Sequence, residues 1–244
     1  MTSGEPAGPE HRASKGHAAL AYDRIRQAIV EGAYGPGDRL VEQRISEEFS
    51  LSRTPVREAL RRLESEGLVV FRRNRGAAVR YLSADDVRDL YELRARLESY
   101  AAELASVRGT IGSYDAMDEA AEQFERQVGR SGDVVIARDD RVRALSDTNN
   151  RFHQTIVAAA GHERLSQMLA SAVDVPLVFQ ALRGFERSEL QRSAEFHRMT
   201  AHAIRRGEGA RAGRLMSEHI LLGRDRLMED LERGEGARAG NASE

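Results

Sequence analysis

Cysteine is absent from the 244 residues, and lysine occurs only once, at Lys15. Without cysteine the chain has no disulfide framework, no thiolate metal site and no thiol nucleophile. No apolar run approaches the roughly 20 residues that a membrane span needs, and the N-terminus lacks the apolar core of a signal peptide. The sequence therefore predicts a cytoplasmic protein with no membrane partner.

A general excess of positive charge is also absent, since the formal net charge is −2. This argues against a basic coat protein for nucleic acid. The segment from Arg53 to Tyr81 is the exception, with eight arginines and three glutamates, a local net charge of +5. Such a confined basic patch is typical of a small DNA-contacting module attached to an acidic domain. Arginine suits planar contacts with phosphate and guanine, although a genome-wide compositional bias would produce the same excess.

The stretch from Glu42 to Leu68 has the pattern of two helices joined by a tight connection. Ser52 is a suitable N-cap for the second helix, and Pro55 fits its first turn, where N–H groups lack helical partners. Gly67 fits a left-handed stop at its C-terminus. The polar residues left exposed on this helix are Arg53, Thr54, Arg57 and Arg61. That arrangement is typical of a recognition helix in the major groove of DNA.

The flanking segments complete a winged helix-turn-helix domain, predicted over residues 17–82. A helix from Ala18 to Gly32 precedes the motif, and two β-prone runs follow it around Arg73-Asn74-Arg75-Gly76. The hairpin carries Arg72, Arg73 and Arg75 near its tip. The alternative is a structural domain with a solvated basic face. Helix capping, exposed arginines and the basic hairpin all indicate one surface, which favours DNA contact.

The second part of the chain, residues 83–232, predicts an all-α bundle, so the whole fold is expected to be mainly α. Ser83 and Asp86 form a capping-box pattern at its start. The flanking residues 1–16 and 233–244 are small and polar and are predicted to be disordered tails. The six predicted helices cover approximately residues 84–107, 114–129, 134–160, 162–182, 187–206 and 208–231.

Three histidines of the bundle, His153, His197 and His219, are predicted to converge. His153 follows Asn149 by one helical turn, so both side chains share a face. His197 and His219 lie 22 residues apart, and an antiparallel hairpin centred on Arg206-Gly207 would bring them to a similar height. Three neutral imidazoles and a side-chain oxygen would suit a first-row divalent metal. The alternative for each histidine is an ordinary core or surface role.

The segments Tyr34–Leu40 and Ser52–Leu68 resemble the DNA-binding domain of the GntR superfamily of bacterial transcription regulators. The resemblance covers about residues 18–82 and rests on the Pro-Gly turn, the Ser-Arg-Thr-Pro-Val-Arg opening and the Glu-Gly-Leu ending. It implies that Arg53 and Arg57 read guanines or clamp phosphates. The full set of operator contacts that it implies is Gln43, Ser52, Arg53, Thr54, Arg57 and Gly76.

Three short motifs of the bundle resemble the FCD effector domain of the FadR-like branch of GntR regulators, over about residues 85–231. They are Asn150-Arg-Phe-His153, Glu195-Phe-His197 and Met216-Ser-Glu-His219. Six helices rather than seven would indicate the shorter VanR-like arrangement.

This second resemblance implies a divalent metal held by Asn149 and the three histidines, with a small carboxylate effector completing the coordination. Zinc is the expected metal, with nickel or manganese as alternatives. Asn149 stands where aspartate is commoner, which implies weaker metal binding. Asp147 is no substitute, because a separation of six residues from His153 places it on another face of the helix.

Arg94 interrupts the apolar stripe of the first bundle helix, and a buried cation needs a partner. That partner is either the carboxylate of the effector or Glu98, one turn further along the helix. The sequence leaves both alternatives open.

Three functions are compatible with these features. The favoured one is a metabolite-responsive repressor that binds a pseudopalindromic operator as a homodimer and is released by a small organic acid. A metal-dependent hydrolase or lyase is disfavoured because no carboxylate is placed as a general base, and Glu195 faces away from His197. In an architectural DNA-binding protein, the histidines would only contribute to packing.

Overall fold

The computed structural model describes residues 9–72, 76–129, 138–172 and 175–241. The chain separates into two compact units, Met1–Leu82 and Ser83–Glu244. The mainly helical fold expected from the sequence is confirmed. The helices are α1 (Pro9–Val30), α2 (Glu42–Phe49), α3 (Arg53–Ser65), α4 (Ala84–Arg108), α5 (Ile111–Gly129), α6 (Arg138–Ala159), α7 (Glu163–Ala172), α8 (Val175–Gly184), α9 (Arg187–Arg205) and α10 (Gly209–Asn241). The strands are β1 (Arg39–Leu40), β2 (Val69–Arg72) and β3 (Gly76–Val79).

The first unit combines α1, α2 and α3 with a small antiparallel sheet of order β1-β3-β2. The two β-prone runs form the pair β2 and β3, in which Arg72 lies opposite Gly76. The predicted wing tip at residues 73–75 lies outside the described residues. β1 was not predicted, because two residues are too few to show an alternating pattern. It adds to the free edge of β3, with Leu40 opposite Ala77.

The recognition helix α3 is fixed by its apolar face and by its C-terminus. Val56, Leu60 and Leu63 are fully buried in the core of the unit. Gly67 has φ 78°, and the N–H groups of Gly67 and Leu68 donate to the carbonyls of Glu64 and Leu63. This pair of bonds is a Schellman stop, which requires the left-handed backbone that glycine adopts easily. The predicted end of the helix is therefore observed.

The second unit contains the helical segments α4 to α10. The single helix expected over residues 162–182 is described in two parts, α7 and α8, because residues 173–174 lie outside the described residues. Pro176 lies in the first turn of α8. The six-helix count, and with it the shorter VanR-like arrangement, therefore stays a prediction.

Helix α4 begins with the capping box predicted from Ser83 and Asp86. The Ser83 hydroxyl accepts from the Asp86 N–H at 3.1 Å, and the Asp86 carboxylate accepts from the Ser83 N–H at 2.9 Å. Further along, α4 packs closely on α10. A Cβ at Gly213 would lie 2.7 Å from a carboxylate oxygen of Glu103, and the Ser99 hydroxyl donates to the Gly213 carbonyl at 2.8 Å. This close packing fixes α4 against the bundle.

Both predicted tails are partly helical. α1 begins at Pro9, within the predicted tail of residues 1–16, and residues 1–8 lie outside the described part of the chain. α10 continues to Asn241, through most of the predicted tail of residues 233–244. Alanine, glutamate and arginine are good helix formers, and extending an existing helix avoids the cost of nucleation. The low hydrophobicity of these two segments predicted disorder, whereas the structure extends an existing helix into each of them.

Candidate metal centre and DNA-contacting face

Three helices, α6, α9 and α10, bring His153, His197 and His219 together. The Nε2 atom of His219 lies 3.1 Å from the Nε2 atoms of both His153 and His197. With one ligand nitrogen taken from each of the three residues, all three nitrogens lie within 4.8 Å of one another. Two nitrogens on one tetrahedral zinc ion are separated by about 3.3 Å, so the observed spacing suits a shared metal ion. Gly207, with φ 73°, allows the tight turn from α9 to α10 that aligns His197 with His219.

Burial lowers the pKa of two of the three histidines of this cluster, His197 and His219. His197 is fully buried, and His153 and His219 are 7% and 8% exposed. The Phe152 ring stacks on His197 with 4.1 Å between centroids, and Phe124 meets it edge-on at 4.7 Å. Burial and the adjacent imidazoles lower the pKa of His197 well below its ordinary value. Burial, His153 and a nearby arginine likewise lower the pKa of His219. Neutral imidazoles offer the lone pairs that a metal requires.

Glu98 is the site residue that the sequence did not place near the histidines. One of its carboxylate oxygens contacts Nδ1 of His153, and the other accepts from Nε of Arg94. Burial alone would raise the pKa of Glu98, but Arg94 and His153 hold that pKa well below its usual range. When Nδ1 of His153 donates to this carboxylate, Nε2 keeps its lone pair for a metal. The internal ion pair considered for Arg94 is thus present.

His153 differs from the other two histidines in this outer contact. The Nδ1 atoms of His197 and His219 are buried without a hydrogen-bond partner among the described residues. A ligating histidine is usually oriented by a carboxylate or carbonyl on its other nitrogen. Glu98 therefore supplies the outer support that the structure shows for the cluster. The contact joins residues 55 positions apart, so it depends on the packing of α4 against α6.

A cavity of about 340 Å³ of empty volume adjoins the cluster. Part of this volume is open to solvent, and its lining combines a few charged and polar groups with apolar side chains, as in sites for small ligands. Asn149 is 4% exposed and lies in the wall, beside His153 and His219. The lining residues are Tyr91, Arg94, Asn149, His153, Val178, Ala181, Leu182, Phe185, Ser193, His219, Ile220 and Gly223.

Two acidic residues that the sequence excluded from the site do lie away from it. Asp147 is exposed, which agrees with its predicted position on another face of the helix. The Glu195 side chain is 57% exposed and pairs with Arg198 at 2.7 Å. The buried carboxylate, that of Glu98, is engaged by both a guanidinium and an imidazole. It is therefore placed to orient His153 rather than to act as a free base.

The predicted DNA contacts in the first unit lie on one face, formed by α2 and the start of α3. Ser52, Arg53 and Thr54 are exposed there, and the Arg53 guanidinium donates to the Gln43 side-chain oxygen at 2.8 Å. Arg57 pairs with Glu42 through two nitrogens, at 3.0 and 2.8 Å. The side chain of Arg57 is 63% exposed, and such pairs are weak, so it can exchange Glu42 for a phosphate.

Gly76 lies at the start of β3, at the base of the wing, and is exposed. Its φ is 75°, and a Cβ added there would meet nothing within 4 Å. Backbone conformation rather than space therefore calls for glycine at this position.

None of the helices within the described ranges combines the length and apolar character that crossing a membrane would require.

Comparison with known proteins identifies both units. The family model "Bacterial regulatory proteins, gntR family" matches residues 18–79, and that of the FCD domain matches residues 89–222. The uncharacterized HTH-type transcriptional regulator YdhC of Bacillus subtilis is 27% identical over 63% of this chain. The match spans 65% of the length of YdhC, slightly less than two thirds. The HTH-type transcriptional repressor GlaR of Escherichia coli K12 is 25% identical over 82% of this chain and 90% of its own.

Among solved structures, McbR/YncC of E. coli has a similar fold, with a TM-score of 0.70 and 19% identity over 88% of this chain and 98% of that one. The related proteins are transcription regulators and not enzymes, as the sequence predicted. Since the FCD match alone covers more than half of the residues, the chain belongs to the GntR family of bacterial transcription regulators, with an N-terminal DNA-binding domain and a C-terminal FCD domain.

Proposed function

We propose that this regulator is a metabolite-responsive repressor, released from its operator by a small carboxylate that binds at a metal ion in the FCD domain. The observation that carries the proposal is the convergence of three buried imidazole nitrogens beside a cavity lined by Arg94 and Asn149. Regulators of this family bind DNA and effectors, and metal binding is known among FCD domains. The same chain thus combines a DNA-contacting face with a small-ligand site.

The residues that would hold the metal are Asn149, His153, His197 and His219. Three neutral nitrogens favour zinc, and nickel or manganese are the alternatives. Asn149 contributes a neutral oxygen, so the metal would be held less tightly than by an aspartate. When bound, the metal supplies a positive charge that can accept a carboxylate oxygen of the effector.

The effector would occupy the cavity beside the cluster. Arg94 is 5% exposed and lies in the cavity wall, so its guanidinium adds positive charge near an incoming carboxylate. The wall beyond it is mostly apolar, with Val178, Leu182 and Ile220. A small organic acid with a short apolar or hydroxylated body fits this combination of a charged group and an apolar wall.

On DNA, a homodimer would place two α3 helices about one duplex turn apart on a pseudopalindromic operator. Gln43, Ser52, Arg53, Thr54 and Arg57 would contact bases and phosphates, and the wing at Gly76 would approach the adjacent backbone. Effector binding would favour a dimer geometry that no longer matches the operator spacing.

The test is binding of the full-length protein to its own promoter fragment, titrated with a panel of small carboxylates before and after metal chelation. We expect one acid to weaken DNA binding by about tenfold or more, equivalent to about 1.4 kcal/mol of coupling. Chelation and His197→Ala should both abolish this shift. His202→Ala is the matched control, because His202 is an exposed histidine on the same helix. Tight DNA binding that is indifferent to every acid and to chelation would contradict the proposal.

A further inference from the structure

Ser193 of α9 is a buried serine whose hydroxyl has no hydrogen-bond partner among the described residues. The residue is 1% exposed, and it lies in the wall of the cavity beside the histidine cluster. A buried hydroxyl without a partner lowers the stability of a folded protein. Such groups are rare in native structures, so each one calls for a specific explanation.

The usual partner of a hydroxyl inside a helix is the backbone carbonyl one turn earlier. Ser46 of α2 and Thr155 of α6 both donate to such a carbonyl, at 2.7 and 2.8 Å. The Ser193 hydroxyl does not make the corresponding bond to the carbonyl of Glu189. A partner for this hydroxyl must therefore come from outside its own helix.

Ser193 lies one helical turn before His197, so the two residues share a face of α9 and are about 6 Å apart along it. Asn149 holds the same position relative to His153 on α6, and it lines the same cavity. Two neutral polar side chains, from two helices, thus stand next to the cluster. An acid bound at the metal would lie beside Ser193.

The charges of the wall favour a hydroxyl group over a second carboxylate as the partner of Ser193. A ligand hydroxyl can both donate to a serine and accept from it. A second carboxylate would need a cation when it is buried. Arg94 is the arginine among the described lining residues, and it is already paired with Glu98. Arg94 and the metal would both be engaged by the first carboxylate.

We propose that Ser193 is a specificity-determining residue, which selects a monocarboxylic acid with a hydroxyl group on the carbon beside the carboxylate. The carboxylate would lie at the metal and Arg94, and the hydroxyl would exchange a hydrogen bond with Ser193. An acid without this hydroxyl would leave Ser193 unpaired, and sites of this kind discriminate strongly against such analogues. The inference rests on the proposed function and narrows its effector class.

Calorimetric titration of the zinc-loaded, full-length protein with matched pairs of acids measures this preference. The pairs are glycolate and acetate, lactate and propionate, and glycerate and its analogue without that hydroxyl, with malonate as the dicarboxylate. We expect one hydroxy acid to bind at least tenfold more tightly than its partner and than malonate. Equal affinities within every pair, tighter binding of malonate, or no binding by any acid would overturn the proposal.

Ser193→Ala tests whether this residue makes the selection. The variant should bind the preferred hydroxy acid at least tenfold more weakly, while its affinity for the analogue without the hydroxyl stays the same or rises. Ser106→Ala is the matched control, because Ser106 is a buried serine of α4 whose hydroxyl donates to the Glu103 carbonyl at 2.7 Å. If the preference persists in Ser193→Ala, Ser193 does not select the effector.

The stability of the effector-free protein separates selection of a ligand from a role in packing. Ser193→Ala removes an unpaired hydroxyl and places a better helix former in α9, so the melting temperature should stay the same or rise. Ser106→Ala loses a hydrogen bond and should melt at a lower temperature. A lower melting temperature for Ser193→Ala would show that its hydroxyl is bonded within the protein, which contradicts the proposal.

DNA release distinguishes failure of this selection from failure of the regulator proposal. If no carboxylate weakens operator binding, the regulator proposal itself is wrong. If an acid without the hydroxyl releases the operator as well as its hydroxylated partner does, only the role of Ser193 is excluded.

Discussion

Glu98 is the side chain on which the geometry of the metal centre depends most directly. It is 2% exposed, and it orients the His153 ring through Nδ1 while it neutralises Arg94. Removing its charge would leave the imidazole free to adopt the other tautomer or to rotate. Outer contacts of this kind typically contribute a ten- to hundredfold difference in metal affinity.

We therefore expect Glu98→Gln to weaken zinc binding by about ten- to a hundredfold, measured by competition with a chromogenic chelator. Glu195→Gln is the control, because Glu195 is exposed on α9 and faces away from the cluster. Circular dichroism of the metal-free proteins should first show that both variants retain their helices. Equal affinities for the two variants would show that Glu98 does not support the site.

Tyr34 gives a prediction about alkaline pH. Its hydroxyl donates to Glu48 at 2.7 Å, and burial followed by this bond raises the pKa of Tyr34 from 10.0 to about 12. A proton held more tightly in the folded state stabilises the protein below pH 10, and this contribution is lost as the pH rises towards 12.

Tyr34→Phe should therefore lower the free energy of unfolding by about 1 kcal/mol at pH 8, and the difference from the natural chain should shrink between pH 10 and 12. Urea unfolding at a series of pH values measures it. Tyr81→Phe, at a 48% exposed position, is the control and should change little. A difference that grows with pH would contradict the assigned sign.

Among the site residues, the sequence could show the three histidines but not Glu98. His153 shares a helical face with Asn149, and His197 and His219 are related by a short hairpin, so local spacing brings them near one another. Glu98 reaches His153 only because α4 packs on α6, and no local pattern encodes that contact. The spacing of Arg94 and Glu98 offered their ion pair as one of two alternatives, but it gave no sign that His153 lies beside it.

At the scale of elements, α3 and its neighbour α2 form the surface on which the DNA predictions depend. Arg53 and Arg57 are held in the free protein by Gln43 and Glu42, which keeps their guanidinium groups beside the start of α3. This arrangement lowers the pKa of Glu42, chiefly through its hydrogen bond to Arg57. The arginines are therefore oriented before DNA arrives and need only exchange partners.

Arg53→Ala and Arg57→Ala should each reduce operator affinity by about ten- to a hundredfold, measured by fluorescence anisotropy at several salt concentrations. The variant that loses a phosphate contact should also show a salt slope smaller by about one. Arg88→Ala is the control, because Arg88 is an exposed arginine on α4 with an equivalent ion pair to Asp85. Unchanged operator affinity in both α3 variants would exclude this face.

The elements that the sequence did not predict all depend on neighbouring structure that is already formed. β1 has two residues and pairs only because β3 offers a free edge. The ends of α1 and α10 extend helices that are already formed, so their low hydrophobicity is no obstacle. Capping, by contrast, is local, and the box at Ser83 was predictable.

For the molecule as a whole, a metal that binds only the folded FCD domain should stabilise it. The gain is about 2.7 kcal/mol when the free metal is at a hundredfold excess over its dissociation constant. We expect the melting temperature to rise on zinc addition and to fall on chelation. His219→Ala should abolish the shift and His202→Ala should retain it, measured by calorimetry. A shift of the same size in both variants would place the metal elsewhere.

Helix α4 is one uninterrupted element of 25 residues, and Arg94 and Glu98 lie one turn apart on its buried face. A carboxylate that draws the Arg94 guanidinium into the cavity would loosen its ion pair with Glu98, which also contacts the His153 ring. The metal and the effector would then act on each other through this one helical turn. Because such coupling is reciprocal, we expect the effector to change the affinity for zinc by the same factor by which zinc changes the affinity for the effector. Equal zinc affinities with and without the effector would show that the two sites are independent.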